Sequence, residues 1–243
     1  MAIIITAPID PSMPPSPLTD GQLQRLLAWL SPAFPIGAYT YSHGLETAVE
    51  AGWLGSADEL ADWLEVVLCH GSGFGDAIFL GQAWAAVTAG DETGLAALSE
   101  RAMAFQPAAE LRLETAQQGR AFLAAVAKGW PCPALDRLRA MSLPALPYPI
   151  AVGVACAGHG IALRWSVTGY LHGFAANLVS AGVRLIPLGQ SDGLAVLARL
   201  APVVATVTDI ALESGLEDLA TAVPMVDWCA MRHETQYTRL FRS

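Results

Sequence analysis

From Leu23 to Met231 the apolar residues of this chain return at helical spacing, and no run of β-branched residues alternates with polar ones over a strand's length. A chain patterned this way closes its core by packing helices against helices. Leu23, Leu26, Leu27 and Leu30 share one face behind Thr19 or Asp20 as caps. Ser56 followed by Glu59 forms a capping box ahead of Leu60, Trp63, Leu64, Val67 and Leu68. Prolines set the breaks. Pro32 ends the first helix, because a residue before proline is pushed out of the α region, and Ser31–Gly37 is a rigid loop into a second helix that ends near Gly52. Further helices are expected over 76–89, 91–104, 108–128, 135–139, 150–163, 166–185, 192–200 and 202–212, with a last one ending near Met231. The prolines from Pro131 to Pro149 mark a loop inside one domain, since apolar helices flank it on both sides. The expected fold is all-α: a single-domain bundle of about ten helices over 19–231, with a Pro-rich flexible arm at 1–18 and a flexible C-terminal tail at 232–243.

Composition narrows the function. The chain is 53% hydrophobic, only 14% charged, and carries a formal net charge of −9. A Lys-poor acidic surface argues against nucleic acid as a partner, and so little charge leaves apolar surface for a complex or an oligomer to cover. Ala140–Leu163 and Trp165–Val183 contain no Asp, Glu, Lys or Arg and approach membrane-spanning length. Pro144, Pro147 and Pro149 interrupt the first. Ser166, Thr168, His172, Asn177 and Ser180 interrupt the second, and neither has aromatic belts with a basic flank, so both read as buried core helices rather than membrane spans. The N-terminus has no basic residue and is a poor secretory signal. Cys69, Cys132, Cys156 and Cys229 form no CxxC pair and read as reduced cysteines of a cytoplasmic protein.

Catalytic chemistry finds little support. Gly71-Ser72-Gly73-Phe74-Gly75-Asp76 follows a helix and lacks the Lys of a phosphate-binding loop, so it reads as a helix-to-helix turn. His43, His70, His159, His172 and His233 have no nucleophile context. Glu110 and Glu114, one turn apart with Arg112 and Arg120 nearby, read as a charged helix face. No catalytic residue and no cofactor is expected. Cys156/His159 and Cys229/His233 have helical spacing, but two ligands fall short of the three or four a metal site needs. Cys229 and His233 are the weak metal candidates, because they lie where the last helix meets the tail.

The tail, Arg232 to Ser243, breaks with the body. It sets Arg232, Arg239 and Arg242 against the single acid Glu234, and it carries Tyr237, Leu240 and Phe241. Aromatic, apolar and Arg side chains are what anchor interfaces, so the segment reads as one that becomes ordered on a partner.

SPAFPIGAYTYSHGLE (31–46), LRLETAQQGRAFL (111–123), NLVSAGVRLIPLGQSDG (177–193) and RHETQYTRLFRS (232–243) occur in that order, and together the chain resembles the UreF family of urease accessory proteins from about Leu23 onward. The resemblance implies an all-helical cytoplasmic homodimer that is not an enzyme. It implies an adaptor that bridges the accessory protein UreD (also called UreH) and the GTPase UreG, and couples GTP hydrolysis to nickel delivery into apo-urease. It places UreD/UreH binding at Arg232, His233, Glu234, Gln236, Tyr237, Arg239, Leu240 and Phe241, and at Pro35, Ile36, Gly37 and Tyr39. By position, Tyr170 and Arg184 are the candidates for UreG. The alternative is a GTPase-activating protein that supplies an arginine to UreG in trans.

Overall fold

Trp29 is the largest fully buried side chain, and it orients the first helix. The computed structural model describes residues 17–243; the arm expected at 1–18 lies outside the described residues except for Pro17 and Leu18. In α1 (Asp20–Trp29) the Thr19 side chain and Gln22 complete a reciprocal capping box. The face turned inward carries Leu26 and Trp29, while Leu23 and Leu27 stand 46% and 66% exposed. This corrects the single leucine face. The Trp29 indole, edge-on to Phe122, Trp130 and His159, rotates the helix so that two leucines face outward.

The order continues with a 3-10 turn (Ala38–Thr40), α2 (Leu45–Glu50), α3 (Ala57–His70), α4 (Ser72–Ala89), α5 (Glu92–Phe105), α6 (Ala109–Gly129), α7 (Pro133–Ala140), α8 (Tyr148–Gly158), α9 (Leu163–Leu185), α10 (Gln190–Glu213), a second 3-10 turn (Leu216–Asp218) and α11 (Pro224–His233). No strand occurs among the described residues, as the spacing of apolar residues requires.

A helix can sit at the centre of a bundle only if it is apolar all round. α8 meets that condition, with every residue from Pro149 to Cys156 buried. It packs chiefly on α4 and α6, α9 packs on α10 and α4, and α3 packs on α10 and α4. The α4–α8 approach is close enough to require glycine: a Cβ on Gly153 would lie 2.5 Å from the Leu80 carbonyl oxygen. Two expectations of a break are corrected. The glycine-rich 71–76 segment does join two helices, but the turn is Gly71 alone, and Gly73 and Gly75 lie inside α4 against Leu68 and Phe105. Pro202 does not divide 190–213, which is one helix. The proline ring withholds one N–H, and burial of Val196, Leu200, Val204 and Val207 on both sides of it keeps the halves aligned.

Among the described residues two helical stretches have the length and apolarity to cross a membrane, Ala57–Ala89 and Gln190–Glu213. Neither is a stretch singled out from the sequence. The first is the packed pair α3 and α4, bent at Gly71.

Candidate docking site

α2 can start where it does because Gly44 holds φ +81°, and a Cβ there would fall 2.8 Å from the Ala230 backbone nitrogen. That contact presses α2 on α11 and turns Glu46 toward the end of α11. On α6 the i, i+4, i+8 spacing puts Glu110, Glu114 and Gln118 on one stripe, and Glu114 and Gln118 are buried. The reading of Glu110 and Glu114 as an ordinary charged face is therefore corrected: this stripe faces the tail.

Three carboxylates grip the C-terminal segment. Glu46 accepts the Leu240 N–H (2.6 Å) and the Phe241 N–H (2.9 Å), and its Oε2 lies 3.1 Å from His233 Nε2. Glu110 accepts from Arg239 (2.7 Å) and faces His233 Nδ1 at 2.6 Å. Glu114 accepts from the Ser243 hydroxyl at 2.7 Å. Backbone bonds add to these, from Arg242 N–H to the Thr40 carbonyl (2.8 Å) and from Ser42 N–H to the Ser243 carbonyl (2.8 Å). The Ser42 hydroxyl donates to the same carbonyl. Glu234 accepts from the Ala109 N–H that opens α6, and Gln236 accepts from Thr47. Phe241 is buried beneath the Arg184 guanidinium, whose carbon lies 4.4 Å from the ring centroid.

The tail was expected to gain order only on a partner. In this structure it lies folded on its own body, because Glu46 and Glu110 supply the acceptors its backbone and Arg239 need. Tyr237 (102%) and Leu240 (64%) remain outside. The 35–39 loop adjoins this strap, residues 234–243, through Thr40: Pro35 and Tyr39 are exposed, Ile36 is buried, and Gly37 takes the left-handed φ of +76° that turns the chain there. The structure thus brings the two predicted segments together. His233 is fully buried, so it holds the strap rather than presenting a surface, and Arg232 stacks on Trp228.

The pair assigned to UreG by position is split. Tyr170 is buried with its hydroxyl donating to Asp76 (2.6 Å), whereas Arg184 is exposed and covers Phe241 on the strap side. Tyr170 points inward because α9 lines a cavity with His43, Ser72, Asp76, Glu114 and Tyr148. Burial pushes the Asp76 carboxyl up to about 6, although the Tyr170 hydrogen bond and His43 pull it down. For His43, burial works against the charged form, but the charge and hydrogen bond of Glu114, with Asp76 and Asp227, outweigh it and raise the ring above its ordinary value.

The metal candidates stand apart from one another in role. Cys229 is buried against Gly44, and burial pushes its thiol up to about 11. Both ring nitrogens of His233 face carboxylates. Cys156 is buried, and His159 bonds the Trp130 carbonyl. No group of three or more His, Cys, Asp and Glu placed to hold a metal occurs among the described residues. Sequence reasoning missed Glu46, Glu110 and Glu114 as the residues that hold the strap. No signal within the sequence marked them, because the partners lie between 123 and 195 positions apart along the chain.

Comparison with known proteins agrees with the resemblance read from the motifs. Residues 54–201 match the UreF family profile. The chain is 50% identical over 221 residues to a urease accessory protein UreF of Rhodopseudomonas palustris (strain BisB5), covering 91% of each chain. It is 49% identical over 221 residues to that of Bradyrhizobium diazoefficiens, again covering 91% of each. The Granulibacter bethesdensis protein of the same name is 48% identical over 235 residues, which is 97% of this chain and 100% of the relative.

Proposed function

The chain belongs to the UreF family of urease accessory proteins, and from that premise we propose that it is a non-catalytic adaptor in urease maturation. It bridges UreD/UreH and the GTPase UreG in the cytoplasm as a homodimer, and the assembly couples GTP hydrolysis to transfer of nickel, its cargo, into apo-urease. The observation that carries this reading is the strap. A terminal segment with interface-type side chains is already folded, with Phe241 buried as its root and Tyr237 and Leu240 exposed, like Tyr39. A surface ordered before the encounter spares the complex the cost of ordering it. On this reading UreD/UreH meets Tyr237, Leu240, Tyr39 and Pro35, while Glu234, Gln236, Arg239 and His233 support them from behind. Arg184, exposed over Phe241, borders this surface and stays the candidate for contact with UreG.

Co-purification tests the bridge. Tagged UreD/UreH should capture UreG only when this chain is present, and capture of UreG in its absence would overturn the adaptor role. Single-turnover GTP hydrolysis separates it from a GTPase-activating protein: the adaptor reading predicts no loss of rate when any one exposed arginine becomes alanine.

A further inference from the structure

A second surface lies on the α2–α3–α11 side of the molecule. Trp53, Val66, Met225, Trp228 and Met231 are between 39% and 49% exposed. The Trp53 and Trp228 rings meet at 5.4 Å between centroids. Met225, Trp228 and Met231 recur at three-residue spacing on α11, which places them along one face. With Trp63 and Pro224, Trp53, Val66 and Met225 line an open groove of about 450 Å³. Tryptophan and methionine are residues that anchor interfaces, and a cluster of exposed large apolar groups is uncommon on a surface that meets only water.

The electrostatics of the groove select its occupant. Glu59 and Asp62 line it, and the exposed face of α3 adds Asp58 and Glu65 with no Lys or Arg on that helix. Arg199 of α10 engages Asp58 and Asp62, and Glu59 accepts the Gly55 N–H. Each carboxylate offers about four lone-pair sites, so acceptor capacity remains. The Arg232 guanidinium already lies over the Trp228 ring, 5.8 Å from its centroid, so an incoming cation is left the carboxylates of α3 rather than that ring face.

We propose that this groove docks a segment of a partner protein in which an apolar or aromatic anchor is flanked by Lys or Arg, the anchor filling the Trp/Met groove and the cation meeting Glu59 and Asp62. This rests on the adaptor reading and adds a second contact surface to it, distinct from the strap.

Site-specific photocrosslinking in the assembled accessory complex tests it. With p-benzoylphenylalanine in place of Met225, which lines the groove, irradiation of the purified complex of this chain with UreD/UreH and UreG should give one dominant crosslink. Its peptide should carry an apolar residue within a few positions of Lys or Arg. Glu59→Gln/Asp62→Asn, which keeps the hydrogen-bonding groups and removes the charge, should slow association about tenfold at low salt and lessen its salt dependence. Trp53→Ala, which removes an aromatic wall of the groove, should weaken assembly at least tenfold through faster dissociation. An assembled complex that gives no crosslink, a crosslink to a second copy of this chain or to an acidic segment, or unchanged assembly in both variants would overturn the proposal and leave the strap intact. Failure of the complex to assemble with the wild-type chain would overturn the adaptor reading and this surface together.

Discussion

His233 has a carboxylate oxygen at each ring nitrogen, from Glu110 at 2.6 Å and from Glu46 at 3.1 Å, so one buried ring ties α2 and α6 to the end of α11. Glu46 also accepts two strap amides, which makes it the residue whose loss frees the strap. In Glu46→Gln one oxygen gives way to an amide that is itself a donor, so the Leu240 and Phe241 N–H groups compete for the oxygen that remains. Hydrogen exchange at those two amides should accelerate about tenfold or more, and trypsin should cut after Arg239 correspondingly faster. Exchange unchanged from wild type would contradict the clamp. Asp76 gives a prediction in pH. Its folded value of about 6 stands above the ordinary 3.8, so its favourable contribution is complete below about pH 4 and is lost as pH rises through 6. The raised His43 value acts in the same direction. Asp76→Asn should therefore gain stability relative to wild type as pH rises from 4 to 7.5, by at most about 3 kcal/mol. Denaturant titrations at both pH values measure this. Relative destabilisation of the variant at the higher pH would show that the ionised carboxylate is needed.

At the scale of elements, local signals were legible and long-range ones were not. Thr19 caps α1 and Ser56 caps α3 through bonds only three residues long, and such bonds are written in the sequence. Pro202 was misleading because its cost is local, while the burial that holds α10 together comes from other helices. The glycines at 73 and 75 misled for the same reason. Gly153 shows the reverse case, a helical glycine required by tertiary contact. Gly153→Ala should push α8 off the Leu80 carbonyl and cost about 1–3 kcal/mol, read as a lower midpoint in chemical denaturation. An unchanged midpoint would mean that the α4–α8 approach yields without cost. The strap itself falls in this class. Its Arg, Tyr, Leu and Phe marked it as an interface segment, but Glu46 lies 194 positions from Leu240, and no pattern within either stretch reveals that they meet.

For the whole molecule, an acidic body of low charge carries one Arg-rich strap on its own carboxylates, and that arrangement leaves Tyr237 and Leu240 exposed. The all-α class and the single helical domain followed from apolar spacing, because spacing is a property of the chain. Which apolar residues stay outside did not follow: Trp53, Trp228 and Met231 resemble core residues in sequence and lie on the surface in the fold. The most direct test removes residues 234–243 and measures binding of UreD/UreH by calorimetry beside the full chain, with circular dichroism to verify that the helical body persists. The truncated chain should keep its helical signal and bind at least about a hundredfold more weakly, the loss expected when several interface anchors go together. Binding at full affinity by the truncated, folded chain would show that the strap takes no part in docking.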